Sequence, residues 1–254
     1  MAYELNKNEK RAHKNIVDSF YMQPSILRVN NCVKKNGSSK SAWRKVFNEL
    51  HNIMNDAKKD VEKILGKRKK AGKIVDVKQS IKSIAGSSFS SLIVYVFLNN
   101  KICGNIKPYI FITSKKSEVA NFDKIATINV DGETQKPDCD LVIHSSNFKK
   151  SSNRSIILSL KTSLRERAGQ TYRWKLLMEI ASSKNAIKKK YNISYDTKHA
   201  PYVCFATVNF YNEINQPQQR GMFKFFDKAF IAKDINKNFI SKLSDIVDFV
   251  NKTL

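Results

Sequence analysis

The N-terminal part of the chain carries apolar residues at the spacing of an amphipathic helix. Between residues 41 and 65 they recur every three or four positions, with charged residues in between, at Trp43, Val46, Phe47, Leu50, Ile53 and Met54. This period places them along one face of a helix. Gly66 and the basic run of residues 67–73 then break the pattern. We therefore predict a mainly helical region over residues 1–70.

The pattern changes in the rest of the chain. A helix with an almost wholly apolar second half is predicted over residues 75–100, and short apolar runs typical of strands follow it. These runs cover residues 108–114, 124–130, 138–144, 154–161, 201–211 and 222–232. Helical patterns over residues 171–191 and 239–254 interrupt and close the series. This order predicts a mixed β-sheet flanked by helices, an α/β or α+β fold, for a core over residues 71–254.

The charge balance points to a polyanionic partner. The chain has 46 Lys and Arg residues against 22 Asp and Glu residues, a formal net charge of +24. Such an excess suits DNA, RNA or an anionic membrane surface. The most apolar run, residues 91–98, is far shorter than the roughly 20 residues that span a bilayer, and residues 1–15 lack the apolar segment of a secretory signal. We therefore expect a cytoplasmic protein that binds nucleic acid, with no membrane partner.

The basic run at residues 67–73 has two interpretations. Runs of this kind are often solvated loops, and they also contact the phosphates of nucleic acids. The sequence favours neither interpretation, and the run is the best candidate for a boundary between two parts of the chain.

Charged residues gather around two of the predicted strands. Asp138 and Asp140 precede an apolar Leu-Val-Ile run, and their spacing of two puts both carboxylates on the same face of a strand. Lys161 ends the strand predicted over residues 154–161. Two strands related by a hairpin would bring Asp138 or Asp140 close to this lysine. Carboxylate oxygens suit Mg²⁺, and a nearby lysine can position an attacking water and offset phosphoryl charge.

The same residues resemble a known nuclease motif. The run PDCD, followed 23 residues after Asp138 by SLK, resembles the PD-(D/E)xK motif, with Ser159 where the second acid normally stands. The segment KTSLRER, which begins at Lys161, is similar to one in the EcoRII-like and CCGG-cutting group of type II restriction endonucleases, which includes BsaWI. That group also carries S/C-x-K and takes its missing glutamate from the next helix. The resemblance covers residues 85–211 and implies a restriction-endonuclease-like core.

The resemblance assigns roles to individual residues. Asp138 matches the motif aspartate, with Asp140 as the alternative, and Lys161 matches the motif lysine. In the group, residues beyond the lysine read C:G base pairs. The matching positions here are Arg165, Glu166 and Arg167.

The acid that completes the metal site is less directly assigned. In the restriction endonucleases of this group, the spacing between the motif lysine and the glutamate corresponds here to Trp174 or Lys175, neither of which is acidic. Glu179 lies one helical turn beyond Lys175 and therefore on the same face, so it is the first choice. Glu166 is the alternative.

The function implied by the resemblance is Mg²⁺-dependent phosphodiester hydrolysis that cuts both DNA strands at a short palindromic site with a C:G-containing core. Such a site is most simply cut by a homodimer, because protein symmetry mirrors site symmetry. A cognate DNA methyltransferase is also expected in the same system. Further candidate DNA contacts are Arg173, Lys175 and Arg220, the last in a Gln-rich segment over residues 209–223. Two alternatives stay open: a non-catalytic basic nucleic-acid-binding protein, and a related nuclease of repair or tRNA-splicing type.

Overall fold

The structure, a computed structural model, describes residues 3–145, 155–163, 165–196, 200–210, 213–233 and 238–254, and of residues 165–168, 213 and 219 it describes the backbone alone. The chain forms two compact units. The first comprises Met1–Pro108 with Ile231–Asn236 and Lys242–Phe249, and the second comprises Tyr109–Phe230 with Lys237–Ser241 and Val250–Leu254. The division into a helical domain over residues 1–70 and a core over residues 71–254 stays a prediction.

Helices make up the N-terminal part of the first unit. They are α1 (Lys7–Asp18), α2 (Gln23–Lys35), α3 (Lys40–Lys70) and α4 (Val77–Ile102). α3 packs against both α2 and α4, and its apolar stripe is fully buried at Val46, Phe47 and Leu50. The side chains of Ser39 and Asp76 cap α3 and α4 by accepting hydrogen bonds from backbone N–H groups of the first turn. The predicted helical character of the N-terminal region is confirmed.

The predicted break after Gly66 is wrong. α3 continues through Gly66 and four basic residues to Lys70, and the turn to α4 follows. A glycine inside a helix costs about 1 kcal/mol relative to alanine, and the packing of α3 outweighs this cost. The turn comes instead at Gly72, whose φ of +68° lies in the left-handed region that glycine adopts without strain.

α4 is the one helix in the described part of the chain that is long and apolar enough to cross a membrane by length and composition. Half of its most apolar window is buried inside the protein. It packs against α1 and α3, and all side chains of residues 92–98 are buried. The core helices of folded proteins have the same apolar character on every face.

The main sheet has six strands in the order β1-β4-β5-β7-β8-β9. Their bounds are β1 (Ile110–Thr113), β4 (Leu141–Ser145), β5 (Ser155–Lys161), β7 (Tyr202–Thr207), β8 (Lys228–Ile231) and β9 (Ser241–Lys242). β4 is antiparallel to β5, with Leu141 opposite Leu158. β7 is parallel to β5, with Ile156 opposite Tyr202. The predicted mixed sheet is therefore confirmed.

Smaller elements accompany the main sheet. A second sheet has the order β3-β2-β6, from β2 (Ile128–Val130), β3 (Glu133–Gln135) and β6 (Ile193–Ser194). The helices of this part of the chain are α5 (Phe122–Ala126), α6 (Arg165–Ser182), α7 (Ala186–Lys190), α8 (Pro217–Phe223) and α9 (Ile246–Thr253). α6 contacts β5 and follows it directly in the chain.

Two of the predicted strands are partly helical. The run at residues 124–130 is strand only from Ile128, because Phe122, Ile125 and Ala126 are buried on one face of α5 at helical spacing. The run at residues 222–232 begins inside α8 and becomes β8 only at Lys228. Pro217 at the first position of α8 fixes a helical φ and starts that helix.

Candidate active site

The start of β4 and the end of β5 bring three charged side chains together. Continuing the antiparallel register outward from Leu141 and Leu158 places Asp140 opposite Ser159 and Asp138 opposite Lys161. The Lys161 Nζ lies 2.7 Å from Asp138 Oδ2 and 3.1 Å from Asp140 Oδ2. The predicted approach of an aspartate to Lys161 is confirmed, and the structure brings both Asp138 and Asp140 to it.

The three side chains differ in exposure. The Lys161 side chain is 9% exposed, whereas those of Asp138 and Asp140 are 41% and 28% exposed. The Lys161 side chain therefore lies largely in the core, and the carboxylates of Asp138 and Asp140 are partly exposed to solvent where the two strands begin and end. A charged ligand can reach the carboxylates without unfolding the sheet.

Asp140 is held by several donors on one oxygen. Its Oδ2 accepts hydrogen bonds from Leu160 N at 2.6 Å, Lys161 Nζ at 3.1 Å and Ser159 Oγ at 3.5 Å. This arrangement fixes the orientation of the Asp140 side chain.

A pair of hydroxyls stands where the nuclease motif normally has its second acid. Thr171 Oγ1 donates to Ser159 Oγ at 2.8 Å, and Ser159 Oγ in turn donates to Asp140 Oδ2. Ser159 and Thr171 are both fully buried. Neutral hydroxyls that are hydrogen-bonded can be buried here without the desolvation cost of a carboxylate.

Cys139 lies between the two aspartates in sequence and is a thiol rather than a thiolate. Its Sγ donates to the carbonyl oxygen of Leu141 at 3.3 Å. Burial raises the pKa of the Cys139 thiol to about 12. The protonated thiol favoured by burial is the form that donates this hydrogen bond.

A second charged group occupies the buried face of α6. Lys175 Nζ is 3.0 Å from both carboxylate oxygens of Asp227 and 2.6 Å from Glu179 Oε1. Asp227 Oδ2 also accepts from Val203 N at 2.7 Å. Burial alone lowers the pKa of Lys175, but the hydrogen bonds and charges of Glu179 and Asp227 outweigh burial, so this pKa is raised. Lys175 is therefore a charged, internally paired lysine.

This group affects two residues predicted from the sequence. The Lys175 side chain is 3% exposed and engaged by two carboxylates, so a DNA contact there would require breaking both ion pairs. Glu179, the first choice for the third acid, is 56% exposed and bonded to Lys175. Trp174, the other position indicated by the group's spacing, is buried.

The remaining predicted residues lie on two helices. Arg165, Glu166 and Arg167 form the start of α6, immediately after β5, and their side chains lie outside the described residues. Arg173 is exposed on α6. Arg220 is exposed on α8, and its Nη1 donates to the carbonyl oxygen of Asn215 at 3.0 Å.

The donor chemistry of the site fits a hard cation in part. Asp138 and Asp140 offer carboxylate oxygens, which are the ligands that Mg²⁺ takes from proteins together with water and substrate phosphate. Within the described residues, no group of three or more His, Cys, Asp or Glu side chains is placed to hold a metal ion. Among the described residues, the carboxylates brought together as possible metal ligands are therefore those of Asp138 and Asp140.

Sequence reasoning missed Thr171 and Asp227. Thr171 and Lys175 are four residues apart on α6, so they share its buried face. The sequence signal for Thr171 was its spacing from Lys175, because two polar residues four positions apart share one face of a helix. Nothing local in the sequence indicated Asp227 as the partner of Lys175, since 52 residues separate the two.

Comparison with known proteins gives one family match. A family described as BsaWI restriction endonuclease type 2 matches residues 118–252. No curated protein matches the chain. The family match covers more than half of the 254 residues and includes β4, β5 and α6 with their charged residues. The fold is accordingly that of a restriction-endonuclease-like α+β protein with an N-terminal helical region, and the chain belongs to the BsaWI family of type 2 restriction endonucleases.

Proposed function

We propose that the protein is a Mg²⁺-dependent endonuclease that cuts both strands of DNA at a specific site. The observation that supports this most directly is the position of Lys161, within hydrogen-bonding distance of both Asp138 and Asp140 at the edge of the sheet. The net charge of +24 supports a polyanionic substrate. Family membership supports a restriction endonuclease.

Asp138 and Asp140 are the proposed metal-holding carboxylates. In the reaction, a water oxygen forms a bond to phosphorus, one P–O ester bond breaks, and the leaving oxygen takes up a proton. A bound Mg²⁺ lowers the pKa of such a water and neutralises charge on the phosphate. Lys161 donates to a phosphate oxygen and orients the attacking water, because its ammonium already lies where the two carboxylates converge.

The proposed sequence recognition lies at the start of α6. Arg165, Glu166 and Arg167 follow Lys161 by four to six residues, so the chain that leaves the cleavage site enters the recognition segment. An arginine that binds O6 and N7 of guanine discriminates by about 1–3 kcal/mol. Arg173 and Arg220 are exposed and are proposed as further DNA contacts.

The proposal extends to the assembly and its setting. A homodimer presents two copies of the site to the two strands of a palindrome with a C:G-containing core. A restriction endonuclease acts on intracellular DNA, so we propose a cytoplasmic enzyme. A cognate DNA methyltransferase in the same system would protect the host genome.

The test is digestion of a large DNA of known sequence by the purified protein, with Mg²⁺ and separately with EDTA. Discrete fragments that form only with Mg²⁺ are expected, and the sequences of their ends give the recognition site. A continuous smear would indicate a nuclease without site specificity. Intact DNA that is retarded on a gel at every concentration would favour the non-catalytic nucleic-acid-binding alternative.

Glu179→Gln tests the third acid. We expect cleavage to change by less than about tenfold, because the Glu179 carboxylate is bonded to Lys175 rather than gathered with the aspartates. The measurement is the single-turnover cleavage rate as a function of Mg²⁺ concentration. A loss of about 100-fold or more, with a higher Mg²⁺ requirement, would instead support Glu179 as the proposed metal ligand.

A further inference from the structure

The end of the α3–α4 hairpin concentrates positive charge. Residues 67–82 comprise the last turn of α3, the connecting turn and the first turns of α4, and we call them the basic hairpin end. They contain seven basic residues and one acid, Asp76. Six of the basic residues are exposed lysines: Lys67, Lys69, Lys70, Lys73, Lys78 and Lys82. The whole segment belongs to the first unit.

Helix stability explains only part of this charge. Cations at the C-terminal end of α3 interact favourably with the helix dipole. Lys73, Lys78 and Lys82, however, lie at or near the positive N-terminal end of α4, where cations are unfavourable. Lys78 and Lys82 are also four residues apart, a spacing at which like charges repel. Folding alone therefore disfavours this arrangement.

The lysines are not neutralised within the protein. In the part of the chain that the structure describes, none of the six exposed lysines forms an ion pair. The only acid of the segment, Asp76, is engaged at the N-terminus of α4, where its Oδ1 accepts from Lys78 N at 2.7 Å and Gln79 N at 3.2 Å. The repulsion among these lysines is therefore left to solvent, dissolved salt or a bound anion to offset.

The backbone that carries these lysines is fixed. The guanidinium of Arg68 stacks over the ring of Phe20, 4.1 Å from its centroid, which ties the end of α3 to the α1–α2 connection. Asp76 caps α4 on the other side of the turn. The charges are thus presented from two ordered helix ends, and little conformational entropy of the backbone is lost on binding.

We propose that the basic hairpin end binds the sugar–phosphate backbone of duplex DNA outside the recognition sequence. Lysine is a point charge on a flexible stem, suited to phosphates rather than to reading bases in a fixed geometry. The segment exposes one large apolar side chain, Val75, which is too little apolar surface for a membrane-bound helix. The choice of DNA as the polyanion rests on the proposed function.

The test compares two triple variants with the same change in charge. Lys69→Gln/Lys70→Gln/Lys73→Gln removes charge from the basic hairpin end. The control, Lys7→Gln/Lys14→Gln/Lys34→Gln, removes three exposed lysines elsewhere in the same unit. Glutamine keeps the helix propensity of lysine, and thermal unfolding followed by circular dichroism checks that both variants fold.

The first readout is the affinity for a long duplex of random sequence at several salt concentrations, with EDTA. In the hairpin variant, the slope of log K against log salt is expected to become less steep by about 2–3, and binding at 0.1 M salt is expected to weaken by roughly two orders of magnitude. The control is expected to change the slope by less than about 1. Equal losses in the two variants would show a net-charge effect and overturn the proposal, as would no loss in either.

The second readout separates this inference from the proposed enzymatic function. The hairpin variant should cleave a short duplex that holds little more than the recognition site at the wild-type rate, and bind a long duplex more weakly. A wild-type protein that cuts no DNA while the slope difference persists would defeat the enzymatic proposal and leave the DNA contact standing. Loss of binding to phosphatidylserine vesicles without loss of DNA binding would identify a membrane contact and overturn the inference.

Discussion

Lys161→Ala is expected to lower the rate of DNA cleavage by about 1,000-fold or more while site-specific binding in EDTA stays within about tenfold of wild type. Lys161 is the single cation that the structure places against both Asp138 and Asp140 among the described residues of the site. Its removal takes away the proposed donor to the phosphate and leaves the proposed recognition segment at the start of α6 unchanged. The measurement is single-turnover cleavage of a duplex with the site, with gel retardation of the same duplex.

Lys124→Ala is the matched control for this experiment. Lys124 is an exposed lysine of the same unit, so its loss makes the same change in net charge without removing the contacts of Lys161 with Asp138 and Asp140. Cleavage by this variant should remain within about twofold of wild type, as expected for a surface substitution. Wild-type cleavage by Lys161→Ala would remove the lysine from the mechanism, and an equal loss of binding and cleavage would make it a DNA-binding residue only.

The site could be predicted where local patterns decide the geometry. The alternation of side chains in a strand places Asp138 and Asp140 on one face, and the length of the apolar run places Lys161 at the end of the next strand. Antiparallel pairing of β4 with β5 then follows from their closeness in the chain. These three steps use only neighbouring sequence, and they gave the correct contact.

The rest depended on tertiary contacts that local patterns do not encode. Lys175 can be buried because it forms an ion pair with Asp227, which lies 52 residues away in the chain. This ion pair occupies the face of α6 from which the sequence predicted a metal ligand. Gly66 suggested the end of a helix, but α3 continues beyond Gly66 and is stabilised by packing against α2 and α4. Residues 124–126 belonged to a predicted strand, but burial of Phe122, Ile125 and Ala126 on one face makes this segment part of α5.

Glu9→Gln is expected to lower the free energy of unfolding by about 3–5 kcal/mol, because it removes the negative charge that faces the buried ammonium of Lys101. Lys101 Nζ lies 2.8 and 2.9 Å from the two carboxylate oxygens of Glu9, and the side chains are 0% and 2% exposed. Burial raises the pKa of Glu9 and lowers the pKa of Lys101. Glutamine can keep the capping-box hydrogen bond to Asn6 N, so the variant isolates the loss of charge. Urea unfolding followed by circular dichroism measures the change.

The double variant Glu9→Gln/Lys101→Met decides whether the uncompensated charge of the buried ammonium is the cause. Removing both charges eliminates the desolvated ammonium, so the double variant should recover most of the stability that Glu9→Gln loses. Glu4→Gln is the control, since Glu4 is an exposed carboxylate that pairs with Lys10, and its loss should lower the free energy of unfolding far less than the loss of Glu9 does. A double variant no more stable than Glu9→Gln would show that the carboxylate of Glu9, rather than the balance of charge around Lys101, holds α1 against α4.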